Sequence, residues 1–361
     1  MLRACTVLRE RVLEHMLYAG SWFFDPEAQA FLACPSYDVP LEALGLLRID
    51  VDTLAPDARS RPIGEVVRAL DRRPQDGLLA ACGFSHAFAF GSDALELRAR
   101  VGGLGGALGC LAFDAAGDHL VLGSNWREYV KVVDAHSWEF AGRGLAGRVT
   151  AIARTRLPHE VALLHGPTGR VSWFDCLTRR VTHRAEVPPF EGVAGDADRL
   201  FLATGDPEPT GFAPITYANP FVPPSGEGRV VGRAPIPGTE RVQTATGVAL
   251  LDLAGRSIAA RAPTPPYGDF PWAMLQRSAS GERVFLLSRG RVRSVRTDDL
   301  EVEWTASLPE ASLPLAVLGE GEGAVVGLDR NVWRRIARVE LAGREALDAR
   351  TVGRMLGVLR A

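Results

Sequence analysis

Short apolar segments recur along the chain at intervals of about 40 to 50 residues, a period typical of repeat architectures. The clearest unit covers 109–143 and contains four such segments, LAF, HLVLGS, YVKVVD and WEFAG. Each alternates apolar and polar positions as a β-strand does, and turn residues separate them at Asp114 to Asp118 and at Asp134 to His136. The pattern predicts four short strands joined by tight turns.

The same order of strands and turns returns in other parts of the chain. Further copies lie at 64–103, 148–187, 271–308 and 314–350. The second strand of each unit is predicted to begin near Ala28, Gly77, His119, Glu160, Arg199, Gly247, Arg283 and Gly323. This count gives eight units, but the sixth, near 238–265, is short and lacks a clear fourth strand. A count of seven units, with one irregular insertion, is therefore also compatible with the sequence.

Four-stranded units with this period resemble the blades of a β-propeller, in which neighbouring sheets must stack because a single blade cannot bury both of its faces. We therefore expect an all-β fold, a single β-propeller domain over 1–361 with eight, alternatively seven, four-stranded blades. The expected blades are 14–62, 64–103, 105–145, 147–188, 190–237, 238–265, 271–308 and 314–350. One terminal segment, 6–12 or 354–360, is expected to add an outer strand to the first or last blade.

Two units also resemble particular propeller repeats. The AFD, GDHLVLGS and VKVVD segments of 109–143 are similar to WD40 or YVTN-type blades, whereas 292–308, with Asp298 in a turn and Trp304 after it, is similar to quinoprotein-type repeats. No unit has a clean Trp-Asp dipeptide or a Gly-His start. The resemblance implies a divergent bacterial propeller repeat protein. Bacteria encode such proteins beside a MoxR-type ATPase and a von Willebrand A protein, so it also implies a protein partner of one of these kinds.

Composition excludes several classes of protein. Hydrophobic residues make up 47% and charged residues 23%, as in ordinary folded proteins. No apolar run approaches about 18 residues, and charged residues near the start interrupt any signal-peptide core, so we expect a cytoplasmic protein without membrane insertion. Five cysteines without a Cys-x-x-Cys pair predict buried, reduced thiols. The formal net charge of -2 disfavours nucleic acid as a partner.

Motifs for chemistry are missing from the sequence. It has no GxxxxGK[ST], GxSxG or HExxH, and the glycine-rich run at 101–109 lacks the third glycine of a dinucleotide loop. The seven histidines are scattered, so a metal site would have to be assembled from several blades. Turn carboxylates such as Asp114 and Asp118 are interpreted as caps rather than calcium ligands. We therefore expect no catalytic residue, no cofactor and no metal.

Two proline-aromatic segments, 206–228 and 262–272, carry the strongest local signal. The first is expected between the second and third strands of its blade and the second between consecutive blades, two loop types that emerge on one face of a propeller. Aromatic side chains held by proline suit protein interfaces, although a self-packed insertion is the competing interpretation. The predicted partner-binding residues on this face are Tyr37, Trp126, Arg127, His165, Phe212, Tyr217, Phe221, Tyr267 and Phe270.

These observations favour a non-catalytic scaffold or adaptor for protein partners. The alternative is an enzyme or ligand sensor that uses the central channel of the propeller. That alternative needs polar residues on several innermost strands. The corresponding segments LAF, TAIA, AML and LAVL are largely apolar.

Overall fold

The computed structural model describes residues 2–3, 5–25, 30–35, 40, 44–106, 108–209, 240–263, 274–278, 280–288, 290–308, 313–328 and 332–341. These residues form β-strands and one short 3-10 helix, Gly166–Thr168. In this part of the chain, no helix is long and apolar enough to cross a membrane.

The strands of the described residues form seven four-stranded antiparallel blades, in order along the chain. A two-residue strand, β1 (Leu2–Arg3), comes first. Blade 1 contains the end of β2 (Thr6–Asp25), β3 (Ala30–Pro35), β4 (Leu47–Asp50) and β5 (Pro56–Arg59). Blade 2 contains β6 (Ala69–Arg72), β7 (Leu79–Cys82), β8 (Ala87–Phe90) and β9 (Leu97–Val101). Blade 3 contains β10 (Cys110–Phe113), β11 (His119–Gly123), β12 (Tyr129–Asp134) and β13 (Glu139–Leu145).

The later blades follow the same plan. Blade 4 contains β14 (Ala151–Arg154), β15 (Glu160–His165), β16 (Arg170–Asp175) and β17 (Arg180–Glu186). Blade 5 contains β18 (Phe190–Gly195), β19 (Arg199–Pro209), β20 (Glu240–Asp252) and β21 (Ser257–Pro263). Blade 6 contains β22 (Met274–Arg277), β23 (Arg283–Ser288), β24 (Arg291–Arg296) and β25 (Val302–Ser307). Blade 7 contains β26 (Leu313–Leu318), β27 (Gly323–Gly327), β28 (Val332–Glu340) and the first part of β2.

This is a β-propeller fold with seven blades, the alternative count of the sequence analysis. Gly247, predicted to begin the second strand of a sixth unit, lies in β20, and β20 pairs with β19 as the third strand of blade 5. The predicted units 190–237 and 238–265 are therefore one blade. The long segment between β19 and β20 gave the sequence the length of an extra repeat. The assignment of 1–361 to one domain stays a prediction, because the chain divides into two compact units, 1–66 with 275–361 and 67–274.

In the first unit, β2 contributes to two blades. Residues 6–12 pair with β28 as the outer strand of blade 7, and the end of the strand pairs with β3 in blade 1. The prediction that 6–12 completes a blade is confirmed, whereas 354–360 lies outside the described residues. Before this strand, the Arg3 guanidinium lies 4.1 Å from the centre of the Trp304 ring and donates a 2.7 Å hydrogen bond to the Gly321 carbonyl.

In the second unit, apolar side chains fill the space between consecutive blades. Leu120 and Leu122 pack toward Ala80 and Cys82 of blade 2. Val121, on the other face of the same strand, packs with residues of blade 4. A blade therefore alternates its core contacts between two neighbours, as strand geometry requires. Four of the five cysteines are buried and none forms a disulfide, as the sequence predicts.

The Asp71 carboxylate links the first strands of three consecutive blades through one ion pair and one backbone hydrogen bond. Asp71 Oδ1 accepts a 2.6 Å hydrogen bond from Arg154, and Asp71 Oδ2 accepts a 2.8 Å bond from the Phe113 backbone N–H. Burial raises the pKa of the Asp71 carboxyl, and Arg154 opposes that shift. The interpretation of these inner strands as largely apolar overlooked this pair.

We expect Arg154→Met to lower the free energy of unfolding by roughly 2 kcal/mol, because it leaves a largely buried carboxylate without its cation. The double variant Asp71→Asn with Arg154→Met retains an acceptor for the Phe113 N–H and should recover part of that loss. Urea denaturation of the two single variants and the double variant measures the coupling. If the loss of unfolding free energy in the double variant equalled the sum of the losses in the two single variants, the ion pair would not be stabilising.

Candidate functional site

A groove of about 710 Å³ lies beside the outer half of blade 3, next to the connection from blade 2. Three of its aromatic side chains are exposed, with Trp126 64%, Phe140 50% and Tyr129 44% accessible. We call it the aromatic-basic groove, and its lining residues are Gly103, Leu104, Gly105, Gly106, Trp126, Arg127, Glu128, Tyr129, Lys131, Phe140, Gly142, Arg143 and Arg148.

Backbone and side-chain hydrogen bonds fix the loop that presents Trp126. The Ser124 hydroxyl accepts a 3.0 Å bond from the Trp126 N–H, and the Ser124 carbonyl accepts a 2.9 Å bond from the Val149 N–H. The Glu128 carbonyl accepts from Ala146 and Gly147. The loop between β11 and β12 is thus tied to the next inter-blade connection. A tryptophan on such a loop can bind a partner with little loss of backbone entropy.

Two cations oppose each other in the wall of the groove. Lys131 on β12 pairs with Arg143 on β13 in the strand register. Like charges directly opposite on one face of a sheet are destabilising. At the equivalent position in four other blades at most one residue of the pair is cationic, and these pairs are Phe88 with Arg100, Ser172 with Arg184, Ala249 with Arg261, and Arg293 with Thr305. Opposed cations also occur in blade 7, at Arg9 with Arg338, and in blade 6, at Arg283 with Arg296. In those two pairs, however, carboxylates form ion pairs with Arg338, Arg283 and Arg296.

The positive charge of the groove is not neutralised by ion pairs. Among the described residues, no carboxylate forms an ion pair with Arg127, Lys131 or Arg143; the Arg143 guanidinium lies 4.9 Å from the centre of the Tyr129 ring. Burial, with the nearby Arg127 and Arg143, lowers the pKa of the Lys131 ammonium. A bound anion would relieve this repulsion.

The connection between blades 2 and 3 closes one side of the groove. Gly103 and Gly105 have φ of +69° and +64°, a left-handed conformation that favours glycine. The Gly105 carbonyl accepts a 3.0 Å hydrogen bond from Lys131 Nζ. These glycines form a turn between blades 2 and 3, and the turn positions the lysine.

The structure places the predicted partner-binding residues in different environments. Trp126 and Arg127 lie together in the groove and are exposed. His165 is interior, with 2% exposure, because its Nδ1 donates a 2.5 Å bond to the Arg148 carbonyl and its Nε2 accepts a 3.0 Å bond from Ser172 Oγ. It is therefore not part of the exposed surface. The others lie outside the described residues, namely Tyr37, Phe212, Tyr217, Phe221, Tyr267 and Phe270.

The two proline-aromatic segments lie between the strands that the sequence predicts, but each one starts inside a strand. The first lies between β19 and β20, although its first four residues, 206–209, extend β19. The second lies between β21 and β22, with 262–263 in β21. Whether their aromatic residues form an interface stays a prediction.

Several groove residues were missed by reasoning from sequence. Tyr129, Lys131, Phe140 and Arg143 belong to strands whose alternation indicates only which residues share a face. One signal was present: Lys131 is the single lysine in a chain with 41 lysine and arginine residues in total. The register that brings it opposite Arg143 needed the structure.

A second group of polar residues lies at the opposite ends of the blade 3 strands. Asp114, His119 and His159 place one potential ligand atom each within 4.8 Å of one another. Asp114 also caps its turn, since Oδ1 accepts hydrogen bonds from the Asp118 and His119 N–H groups, as the sequence predicts.

Comparison with solved structures identifies the fold. The WD40 domain of Neurospora crassa Pan2 matches 94% of this chain and 95% of its own length, with a TM-score of 0.60 and 10% sequence identity. The chain has a WD40-like β-propeller fold. At this identity the likeness concerns the fold alone. No protein-family model and no curated protein matches the sequence.

Proposed function

We propose that this WD40-like propeller is a non-catalytic interaction scaffold that binds an acidic peptide segment of a protein partner in the aromatic-basic groove. The observation that carries the proposal is the opposed pair Lys131 and Arg143, held without an ion pair beside exposed Trp126 and Tyr129. A site that retains such repulsion in its free state gains electrostatic energy when an anionic partner binds.

The chemistry of the groove favours a peptide with both carboxylates and apolar side chains. Arg127, Lys131 and Arg143 supply the positive charge, while the aromatic rings supply apolar contact area. Tryptophan, tyrosine and arginine are the residues that most often dominate the binding energy of interfaces. Single-stranded nucleic acid also binds basic and aromatic surfaces, and the experiment below compares it directly with an acidic peptide.

The fold supports the same function, because WD40-like propellers commonly mediate protein-protein interactions. An acidic segment of an ATPase or a von Willebrand A-type protein would fit the proposed site, and the scaffold would then act in a bacterial multiprotein system in the cytoplasm. The two proline-aromatic segments would extend the contact surface beyond the groove.

The direct test uses a fluorescent peptide that alternates glutamate with leucine and phenylalanine, its lysine-substituted counterpart, and an oligothymidine. We expect the acidic peptide to bind and its affinity to fall as salt is raised, because the contacts are partly electrostatic. Trp126→Ala should weaken binding by roughly 10- to 30-fold. The double variant Lys131→Glu with Arg143→Glu should weaken it by at least about tenfold and reduce its salt dependence.

Arg184→Glu provides a matched control. Arg184 occupies the position of Arg143 in the next blade, but it lies opposite Ser172 instead of a second cation. It should leave peptide affinity unchanged. Preference for the oligothymidine or for the lysine-substituted peptide would contradict the proposal, and so would equal losses in the control and groove variants.

The single lysine offers an independent measurement. An amine-reactive ester can label Lys131 and the terminal amine, and mass spectrometry separates the two products. Because the lowered pKa of Lys131 increases its neutral fraction, we expect measurable labelling at neutral pH. The acidic peptide should protect Lys131 but not the terminal amine. Labelling of Lys131 that is unchanged by saturating peptide would place the bound peptide elsewhere.

A further inference from the structure

Two histidines from neighbouring blades meet one buried carboxylate at the end of blade 3 opposite the aromatic-basic groove. Asp114 follows β10 and is 0% exposed, His119 begins β11, and His159 lies in the turn before β15 of blade 4. Asp114 Oδ2 lies 2.8 Å from Nδ1 of His119 and 3.3 Å from Nδ1 of His159. The folded chain thus assembles across blades the kind of donor set that its sequence did not indicate.

The two distances from Asp114 are close to those between ligand atoms of a tetrahedral zinc ion. Ligand atoms about 2.0 to 2.1 Å from a tetrahedral Zn²⁺ lie about 3.3 Å from one another. The Asp114–His159 separation already has this value, and the Asp114–His119 separation would need to open by about half an ångström to reach it. Since all three donor atoms lie within 4.8 Å of one another, one ion can contact them together with small side-chain movements.

The turns that carry the three residues are joined by hydrogen bonds. The Ala116 N–H donates a 2.9 Å bond to the Pro158 carbonyl, which links the turn of blade 3 to that of blade 4. The Cys176 N–H donates a 2.8 Å bond to the His159 carbonyl. The donor atoms are therefore supported by two rigid turns, a requirement for a site of defined geometry.

The identity of the donors selects the class of metal. Two imidazoles and one carboxylate suit zinc and similar transition metals, whereas calcium prefers six to eight oxygen ligands. The Asp114 carboxylate forms no ion pair with an arginine or lysine in the described part of the chain. Asp118 Oδ2, 3.8 Å from His159 Nδ1 on a half-exposed side chain, is placed to act as a fourth ligand or to orient a water molecule.

We propose that Asp114, His119 and His159 form a zinc-binding site that joins blades 3 and 4. In the metal-bound state each imidazole carries its proton on Nε2 and turns the lone pair of Nδ1 toward the ion. Asp114 then exchanges its two imidazole hydrogen bonds for one metal bond, while its other oxygen continues to cap the turn. This site is independent of the aromatic-basic groove.

The test uses full-length protein without a histidine tag, treated with a chelator and titrated with Zn²⁺ by calorimetry. We expect one ion per chain with a dissociation constant in the micromolar range or below. His119→Ala and His159→Ala should each weaken binding by at least about tenfold, because each removes one of the three protein ligands. His86→Ala, a partly buried histidine at the other end of blade 2, should bind as the wild type does.

Spectroscopy of the wild-type protein keeps the test valid if a variant does not fold. Co²⁺ added to the metal-free chain should give the intense visible absorption of tetrahedral coordination, and Zn²⁺ should displace it. X-ray absorption of the zinc-loaded protein should show scattering from two imidazoles. Absence of stoichiometric binding, or an octahedral cobalt spectrum, would overturn the proposal and leave the three residues as a hydrogen-bonded cluster. Folded histidine variants with wild-type affinity would also overturn it.

Discussion

Removal of residues 1–12 is expected to lower the free energy of unfolding by roughly 5 kcal/mol and the melting temperature by roughly 10 °C. The deleted segment forms six residue pairs with β28, from Thr6 opposite Glu340 to Val12 opposite Arg335. Each backbone hydrogen bond contributes about 1 kcal/mol net, and the whole stability of such a chain is about 5 to 15 kcal/mol. Blade 7 would keep three strands and expose the edge of β28, so soluble yield should fall as well.

A shorter deletion separates the outer strand from the contacts that precede it. Removing only residues 1–4 eliminates the Arg3 contacts with Trp304 and Gly321 but leaves Thr6–Val12 in place. We expect it to cost about 1 to 2 kcal/mol. A synthetic peptide of residues 1–14 should bind the longer truncation and restore part of its melting temperature. Equal stability of the longer truncation and the full chain would contradict the assignment of 6–12 to blade 7.

The second large effect is a loss of stability in acid through His165. Burial is the main reason that the pKa of this imidazole falls to about 4, and the nearby Arg170 and Arg184 lower it further. The unfolded chain binds the proton near pH 6.5, whereas the folded chain resists it until about pH 4. Stability from the neutral ring is therefore complete above pH 6.5 and is lost as pH falls toward 4. The expected loss is roughly 3 kcal/mol.

The experiment measures unfolding by urea at intervals between pH 7 and pH 4 for the wild type and for His165→Asn. The asparagine amide can replace Nδ1–H as donor to the Arg148 carbonyl but does not titrate, so the pH dependence should become shallower. His183→Asn, at an exposed position in the same blade, is the control and should follow the wild type. A proton NMR titration that gives His165 an ordinary pKa would contradict the expectation directly.

Sequence patterns were sufficient to predict the β-propeller fold, because each blade repeats the same alternation and turn chemistry. The unit at 109–143 became blade 3 with its four strands at the predicted places. The blade count was less certain from sequence, since the long segment between β19 and β20 adds enough chain to suggest a further repeat. The pairing of β19 with β20 in one sheet established the count of seven blades. Composition alone does not reveal this pairing.

The candidate sites were harder to predict because they depend on neighbours in space. Trp126 was identified from its place in a loop, but its basic surroundings arise from the register of β12 and β13. His165 was predicted to lie on the same surface because it also precedes a loop between two strands. Hydrogen bonds with Ser172 and the Arg148 carbonyl instead hold its side chain in the interior. His119 and His159 are 40 positions apart in sequence and belong to different blades. A search for ligands that are close together in the sequence therefore could not find this pair of histidines.

The continuity of β2 between blades 7 and 1 also has a consequence for biosynthesis. Its first residues pair with partners about one full chain length away, as in the bond between Arg335 and Glu10, which are 325 residues apart. At translation rates of about 5 to 20 residues per second, the ribosome needs roughly 15 to 65 s to produce that partner. During this interval Val7, Leu8 and Val12 have no strand to pair with. The outer strand of blade 7 therefore stays unpaired until β28 has been synthesised, so this blade is expected to gain its fourth strand only near the end of translation.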